Sequence, residues 1–283
     1  AEFKDETMGR LIRFVSAHEV GHTLGLPHNM GSSVAYPVDS LRSASFTKKF
    51  GTAPSIMDYA RFNYVAQPED KGVALMPNIG PYDKHSINWG YRPILDKSAK
   101  EEKATLNKWI LDKADNPMYR FGRQNGVDPT SQTEDLGDDA IKAGTYGIMN
   151  LKRIVPNLEK WTTKDGETYD EMGTIYGQIV GQFSRYMGHV TTSVGGVYEY
   201  NKTSDQAGAV YTHVDKDYQR NAVKFLNKQL FATPTWMLDK NIFAKVQSSG
   251  AVERIRSLQV RTLNGLLSTS RMARMIENET LNG

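Results

Sequence analysis

The residues best equipped for chemistry lie in one short run near the start of the chain, His18-Glu19-Val20-Gly21-His22-Thr23-Leu24-Gly25-Leu26-Pro27-His28. On a helix, His18 and His22 sit one turn apart and project from one face. Two neutral imidazoles at that spacing bind one Zn²⁺ at about 2.0–2.1 Å each. If the helix simply continued, His28 would be carried about 9 Å along its axis, out of reach. Gly25 tolerates φ > 0 and can end the helix and turn the chain back, and Pro27 discourages a restart. Three imidazoles then meet at one metal and leave a coordination position open. Glu19 is aimed too poorly to be a fourth ligand. It suits a general base that takes a proton from an activated water and passes it to a leaving amine. A bare HExxH run is only suggestive. The added Gly25 and His28 make a chance match far rarer.

This extended pattern resembles the metzincin zinc proteases. A second segment agrees: Ser55-Ile56-Met57-Asp58-Tyr59, whose methionine lies 29 residues past His28, resembles the metzincin Met-turn. The resemblance implies that Met57 forms a soft, apolar floor beneath the three histidines, supporting the site together with Gly25. It also implies that Tyr59 lies beside the metal, as a ligand or as a donor to the oxyanion, and so joins Glu19 as a catalytic residue. Ordinary core packing is the alternative for both Met57 and Tyr59. Gly80–Tyr91 resembles the closing helix of these domains, with Asp83 at its positive end and Ile87 and Tyr91 facing inward. His85 on that helix reads as a surface or supporting residue. More closely, Ser55–Asp70 and later segments, from His18 to about Asp239, resemble the large bacterial zinc-dependent proteases called met-zincins. That resemblance implies a zinc endopeptidase acting on peptide or protein substrates, secreted or held in a bacterial cell envelope.

Composition fits this picture without demanding it. The chain has 283 residues, 39% hydrophobic and 24% charged, enough for one large domain or two smaller ones with real cores. A formal net charge of +3, not gathered into one block, is too mild to argue for nucleic acid. No run approaches the roughly 18 consecutive apolar residues of a membrane span. With no cysteine, any zinc must be held by nitrogen and oxygen.

The elements that must position these residues are read from periodicity. A first helix is expected over Met8–Leu24, capped by Thr7, with Leu11, Phe14 and Val15 inward. Asn29–Pro54 reads as an irregular, serine-rich loop. Arg61, Phe62, Tyr64 and the Pro68-Glu69-Asp70 turn follow the Met-turn and are expected to shape a substrate pocket. Asp96–Lys103 reads as a solvated helix start or linker, and 116–137 as turn-rich. Within it, Asp135, with Asp138 and Asp139, suggests calcium but lacks EF-hand spacing, and either of the last two serves equally as a helix cap. Helices are expected over Ala140–Trp161, Tyr169–His189 and Gln219–Leu230, the last with Val223, Leu226 and Leu230 inward. A hairpin-like excursion is expected near 195–211. Ile255, Leu258, Leu263, Leu266 and Leu267 mark a closing helix or helix pair. His189 and His213 read as structural.

The expected fold class is therefore α+β, predominantly α-helical. Residues 1–95 are expected to form the lower half of a metzincin catalytic domain, and 96–283 a mostly helical C-terminal region. Metzincins carry a sheet ahead of the active-site helix, for which the 17 residues before His18 leave no room. The expectation is that an N-terminal part of the same protein, or another polypeptide, supplies it. Two alternatives remain at this stage: a partner-binding module whose zinc half-site is inert, and a zinc hydrolase of a non-protein amide.

Overall fold

Asp5 and Glu6 open the first helix, where carboxylates favour the positive end of the helix dipole. In the computed structural model, which describes residues 4–60 and 62–283, this helix, α1, spans Asp5–Thr23. It begins before Thr7, which sits within the first turn instead of capping it; Lys4 holds the N-cap position and makes no side-chain capping bond. Its buried stripe is Phe14, His18 and Gly21, whereas Val15 faces solvent. The inward face is thus set by one aromatic residue, one histidine and one glycine more than by the aliphatic residues.

The described residues divide into two compact units. One gathers the chain up to Asp139 together with Glu199–Thr212, so the unit that holds α1 does not stop at residue 95. It contains α2 (Ala44–Phe50), α3 (Pro81–Tyr91) and α4 (Ala99–Leu111), joined by long irregular stretches. The segment expected to be a loop, 29–54, is instead mostly interior: Met30, Tyr36, Val38 and Leu41 are buried, as are Asn29, Ser32, Ser33 and Thr47. Its polar residues mimic a surface loop in composition, but many find partners inside. The Thr47 hydroxyl donates to the Ser43 carbonyl at 2.9 Å, and Ser33 N donates to Asp58 at 2.7 Å. Arg42 grips Asp70 at 2.7 Å and Glu69 at 2.9 Å, which fixes the turn expected there. Its guanidinium is the main reason the Asp70 carboxyl titrates below the ordinary range. By contrast α4 buries nothing, and Ser98 and Glu101 close its start with reciprocal bonds, in keeping with a solvated helix.

The second unit comprises Ala140–Tyr198 and His213–Gly283. It is built around α7 (Asp170–Ser193), against which α5 (Ala140–Ile154) and α6 (Leu158–Thr162) pack from one side of the sequence. From the other side come α8 (Lys216–Leu226), α9 (Lys240–Val246) and α10 (Ala251–Leu266), with α11 (Thr269–Asn282) following. Met172, Tyr176, Ile179, Phe183, Met187 and Val190 give α7 a continuous buried face at 3–4 spacing. A Cβ on Gly147 would lie 2.5 Å from the Tyr186 ring, so glycine allows α5 to approach α7 closely. Val223, Leu263 and Leu267, expected inward, are exposed; Leu226, Leu230, Ile255 and Leu258 do the packing. The expected excursion is a two-stranded ribbon, β1 (Val197–Glu199) with β2 (Tyr211–His213). Among the described residues the fold is predominantly helical with this one small sheet, an α+β arrangement. Among the described residues no helix is long and apolar enough to cross a membrane.

Candidate metal centre

The turn after α1 is closed by two backbone bonds, Gly25 N to the His22 carbonyl at 2.9 Å and Leu26 N to the Gly21 carbonyl at 3.0 Å. Gly25 takes φ +84°, the left-handed conformation such a Schellman closure requires. The reversal brings His28 back to the helix. The ring of His22 lies 4.7 Å from that of His28 and 4.8 Å from that of His18, centroid to centroid.

Backbone carbonyls orient two of the rings. His18 Nδ1 is 2.8 Å from the Ile56 carbonyl oxygen, and His22 Nδ1 is 2.9 Å from that of Leu26. A carbonyl only accepts, so each Nδ1 carries the proton and each Nε2 presents its lone pair. His18 Nε2 is buried and has no partner, and His22 Nε2 lies 3.1 Å from His28 Nε2. One ligand atom from each of the three residues falls within 4.8 Å of the others. Four-coordinate zinc at about 2.0–2.1 Å from each nitrogen needs nitrogens roughly 3.3 Å apart, so the set fits after a modest contraction. An orphaned buried acceptor beside two closely spaced ring nitrogens is what a cation would relieve. Burial, and then the charges of His22 and His18, hold the His28 pKa below 6.5; Glu19 pulls the other way. The neutral imidazole that binds metal is therefore the favoured form.

Met57 lies against α1 at Gly21, fully buried with Phe14 and Ile56 and flanked by Ala17 and Leu26. Its turn is held from α3. Asp83 accepts from Ser55 Oγ at 2.6 Å, from Ile56 N at 2.8 Å and from Gly80 N at 2.7 Å. A Cβ on Gly80 would lie 1.8 Å from the Pro54 carbonyl oxygen, so only glycine permits the approach that puts Asp83 in place. Burial pushes the Asp83 carboxyl up, while Ser55 and the two amides pull it down. From sequence, Asp83 reads only as a charge suited to a helix start. Its position three residues after Gly80 marks it as able to reach back to the preceding backbone. Tyr91 turns outward, and its hydroxyl donates to the Leu24 carbonyl at 3.0 Å.

Tyr59 lies against the same rings: it stacks on His18 at 5.2 Å and meets His28 at 4.6 Å. Glu19 is solvent-exposed on α1, near enough to His28 to influence its charge. Other candidates are elsewhere. His85 packs against Tyr119, and Asp138 accepts from Val38 N at 3.0 Å. Asp135 is buried beside Ser33, and Arg61 lies outside the described residues. Among the described residues, His18, His22 and His28 are the one group of three or more such side chains placed to share a metal. The interior places of Asn29 and Ser33, on a serine-rich stretch, and of Asp58, beside Met57, are not legible in the sequence, because isolated polar side chains give no periodic signal.

Comparison with curated proteins returned no match, and comparison with solved structures returned none. The model of one family, described as Met-zincin, matches residues 1–283. With three imidazoles placed to share a metal and a family match along its length, the chain belongs to the met-zincin family.

Proposed function

We propose that the protein is a zinc-dependent endopeptidase, with His18, His22 and His28 as the metal ligands, Glu19 as general base and Tyr59 as oxyanion donor. Membership of the met-zincin family supports the class, a zinc metallopeptidase. The observation that carries the finer reading is the convergence of three histidines, two with their Nδ1 on a carbonyl, around a buried, unpartnered His18 Nε2.

When bound, zinc supplies Lewis-acid polarisation of the scissile carbonyl and makes a water acidic enough to ionise near pH 7. The chain's own groups do the rest. The Ile56 and Leu26 carbonyls fix the tautomers of His18 and His22, so both rings offer Nε2 without a proton to lose. Glu19 takes the proton of the attacking water on its carboxylate and later delivers it to the leaving amine nitrogen. The Tyr59 hydroxyl donates to the carbonyl oxygen as negative charge gathers there. Met57 holds the floor apolar and keeps water from beneath the rings.

Glu19→Gln removes the base while keeping the shape. The purified variant is expected to retain zinc by elemental analysis and to lose cleavage of casein and of a peptide library. Full activity in that variant would take Glu19 out of the mechanism. Zinc binding with turnover of a cell-wall amide, and none of peptides, would move the same machinery to a different substrate.

A further inference from the structure

Unlike its two partners, His28 has no backbone carbonyl on its Nδ1 among the described residues; its ring meets that of His22, Nε2 to Nε2 at 3.1 Å. Its ring must therefore be placed by the backbone on either side of it. On one side is Pro27, and on the other is Asn29, which is fully buried and bonded through its backbone N–H, its carbonyl and both side-chain polar atoms. Asn29 N donates to the Met57 carbonyl at 3.1 Å. Its side-chain Oδ1 accepts from Gly122 N at 2.9 Å, and its Nδ2 donates to the Arg120 carbonyl at 2.9 Å. Gly31 N adds a bond to the Gly122 carbonyl at 3.1 Å. The carboxamide of Asn29 thus stands in for a peptide group and extends a short backbone pairing between 29–31 and 120–122.

That pairing is tight and its far side is anchored. A Cβ on Gly31 would lie 2.8 Å from Gly122 Cα, and one on Gly122 would lie 2.3 Å from Ser131 Oγ. Arg120 is in turn bonded to Asp128 at 2.8 Å, and to the carbonyls of Thr130 and Glu199 at 3.2 Å each. Asp128 accepts from Thr130 N at 2.8 Å and is itself almost fully buried. A fixed base of this kind can set the position of whatever is bonded to it.

We propose that Asn29 is a positioning residue of the metal centre, through which the 120–131 segment sets the place of His28. The inference rests on the reading of His28 as a zinc ligand. Asn29 does not touch the metal; it acts by holding the peptide that follows the third imidazole, while its own amide ties that peptide to the Met-turn.

The test uses the full chain and the metal alone. Zn²⁺ affinity is measured by competition with a chelating dye, and the Co²⁺-substituted protein is followed by its visible absorption, which reports ligand geometry. Asn29→Ala is expected to weaken zinc by about 10- to 100-fold and to shift the cobalt bands, with far-UV circular dichroism unchanged. A merely structural residue would lower the melting temperature and leave affinity and spectrum as in the wild type, and that result overturns the proposal. His28→Ala separates the two levels. If it binds zinc like the wild type, the ligand reading fails; if it loses zinc while Asn29→Ala does not, only this inference fails. Should Asn29→Ala not fold, hydrogen exchange in the wild type decides. Coupling is reciprocal, so zinc binding must slow exchange at the Gly122 amide, and unchanged protection there overturns the proposal.

Discussion

A Cβ placed on Gly21 would lie 2.3 Å from the sulfur of Met57. The helix that carries His18 and His22 therefore rests directly on the thioether, with no side chain between them. Van der Waals contact at this point sets how closely the helix approaches the turn that carries Met57, and a buried methionine at zero exposure has nowhere to withdraw.

Gly21→Ala tests that contact. Alanine favours the helix by about 1 kcal/mol, but overpacking a full core typically costs 1–3 kcal/mol, and here the added methyl overlaps the sulfur. Net destabilisation and weaker zinc binding are expected, read by urea unfolding and by dye competition. Met57→Leu in the Gly21→Ala background should recover part of the loss if the clash with the thioether is its source.

Asp83 accepts three short bonds, two of them from the stretch that positions Ile56. Asp83→Ala strands those donors in the interior, and a loss of about 3–5 kcal/mol is expected in chemical denaturation. Because the Ile56 carbonyl orients His18, zinc affinity is expected to fall as well. A variant that unfolds at the wild-type midpoint would show that water replaces the carboxylate at no cost.

Tyr59→Phe deletes one hydroxyl and keeps the ring that stacks on His18. If the hydroxyl serves the oxyanion, kcat is expected to drop about 10²- to 10³-fold with zinc content unchanged. An unaltered kcat would reduce Tyr59 to a packing residue.

Asp58 and Asp135 lie in the interior of one unit, both bonded to Ser33. Burial pushes Asp58 up to about 7 from 3.8, and burial followed by the charge of Asp58 raises Asp135 well above 3.8. A folded-state pKa above the unfolded one means that the native chain holds extra protons between those values. The resulting stability is present below the unfolded pKa of 3.8 and is lost as pH rises towards and through about 7. Asp135→Asn is expected to flatten that decline in the zinc-free chain, measured as melting temperature from about pH 5 to pH 8. His28 acts with the opposite sign, since its lowered pKa makes stability rise as pH climbs towards 6.5. The comparison of variant with wild type therefore carries the test; an equally steep decline in both rejects it.

The triad was legible in sequence because its geometry is local: a helical turn and one glycine bring three rings together within the stretch from His18 to His28. The long stripes of α5 and α7 were legible for the same reason, since a 3–4 spacing survives any tertiary context. What sequence concealed is what depends on distant partners. Val15, Val223 and Leu263 fit an apolar period yet face water, because the neighbouring elements cover a different arc of each helix. Asn29 and Asp83 look like ordinary loop and helix-start residues until Gly122 and Ile56 arrive beside them.

The acceptors of the His18 and His22 protons are peptide oxygens, belonging to Ile56 and Leu26. No single amino-acid replacement at either position deletes such an oxygen, whereas a carboxylate in the same office could be lost in one step. The protonation pattern of those two rings is consequently inherited from the path of the main chain. Residues 26 and 56 are free to drift among shapes that fit, without the electronic character of the site changing as they do.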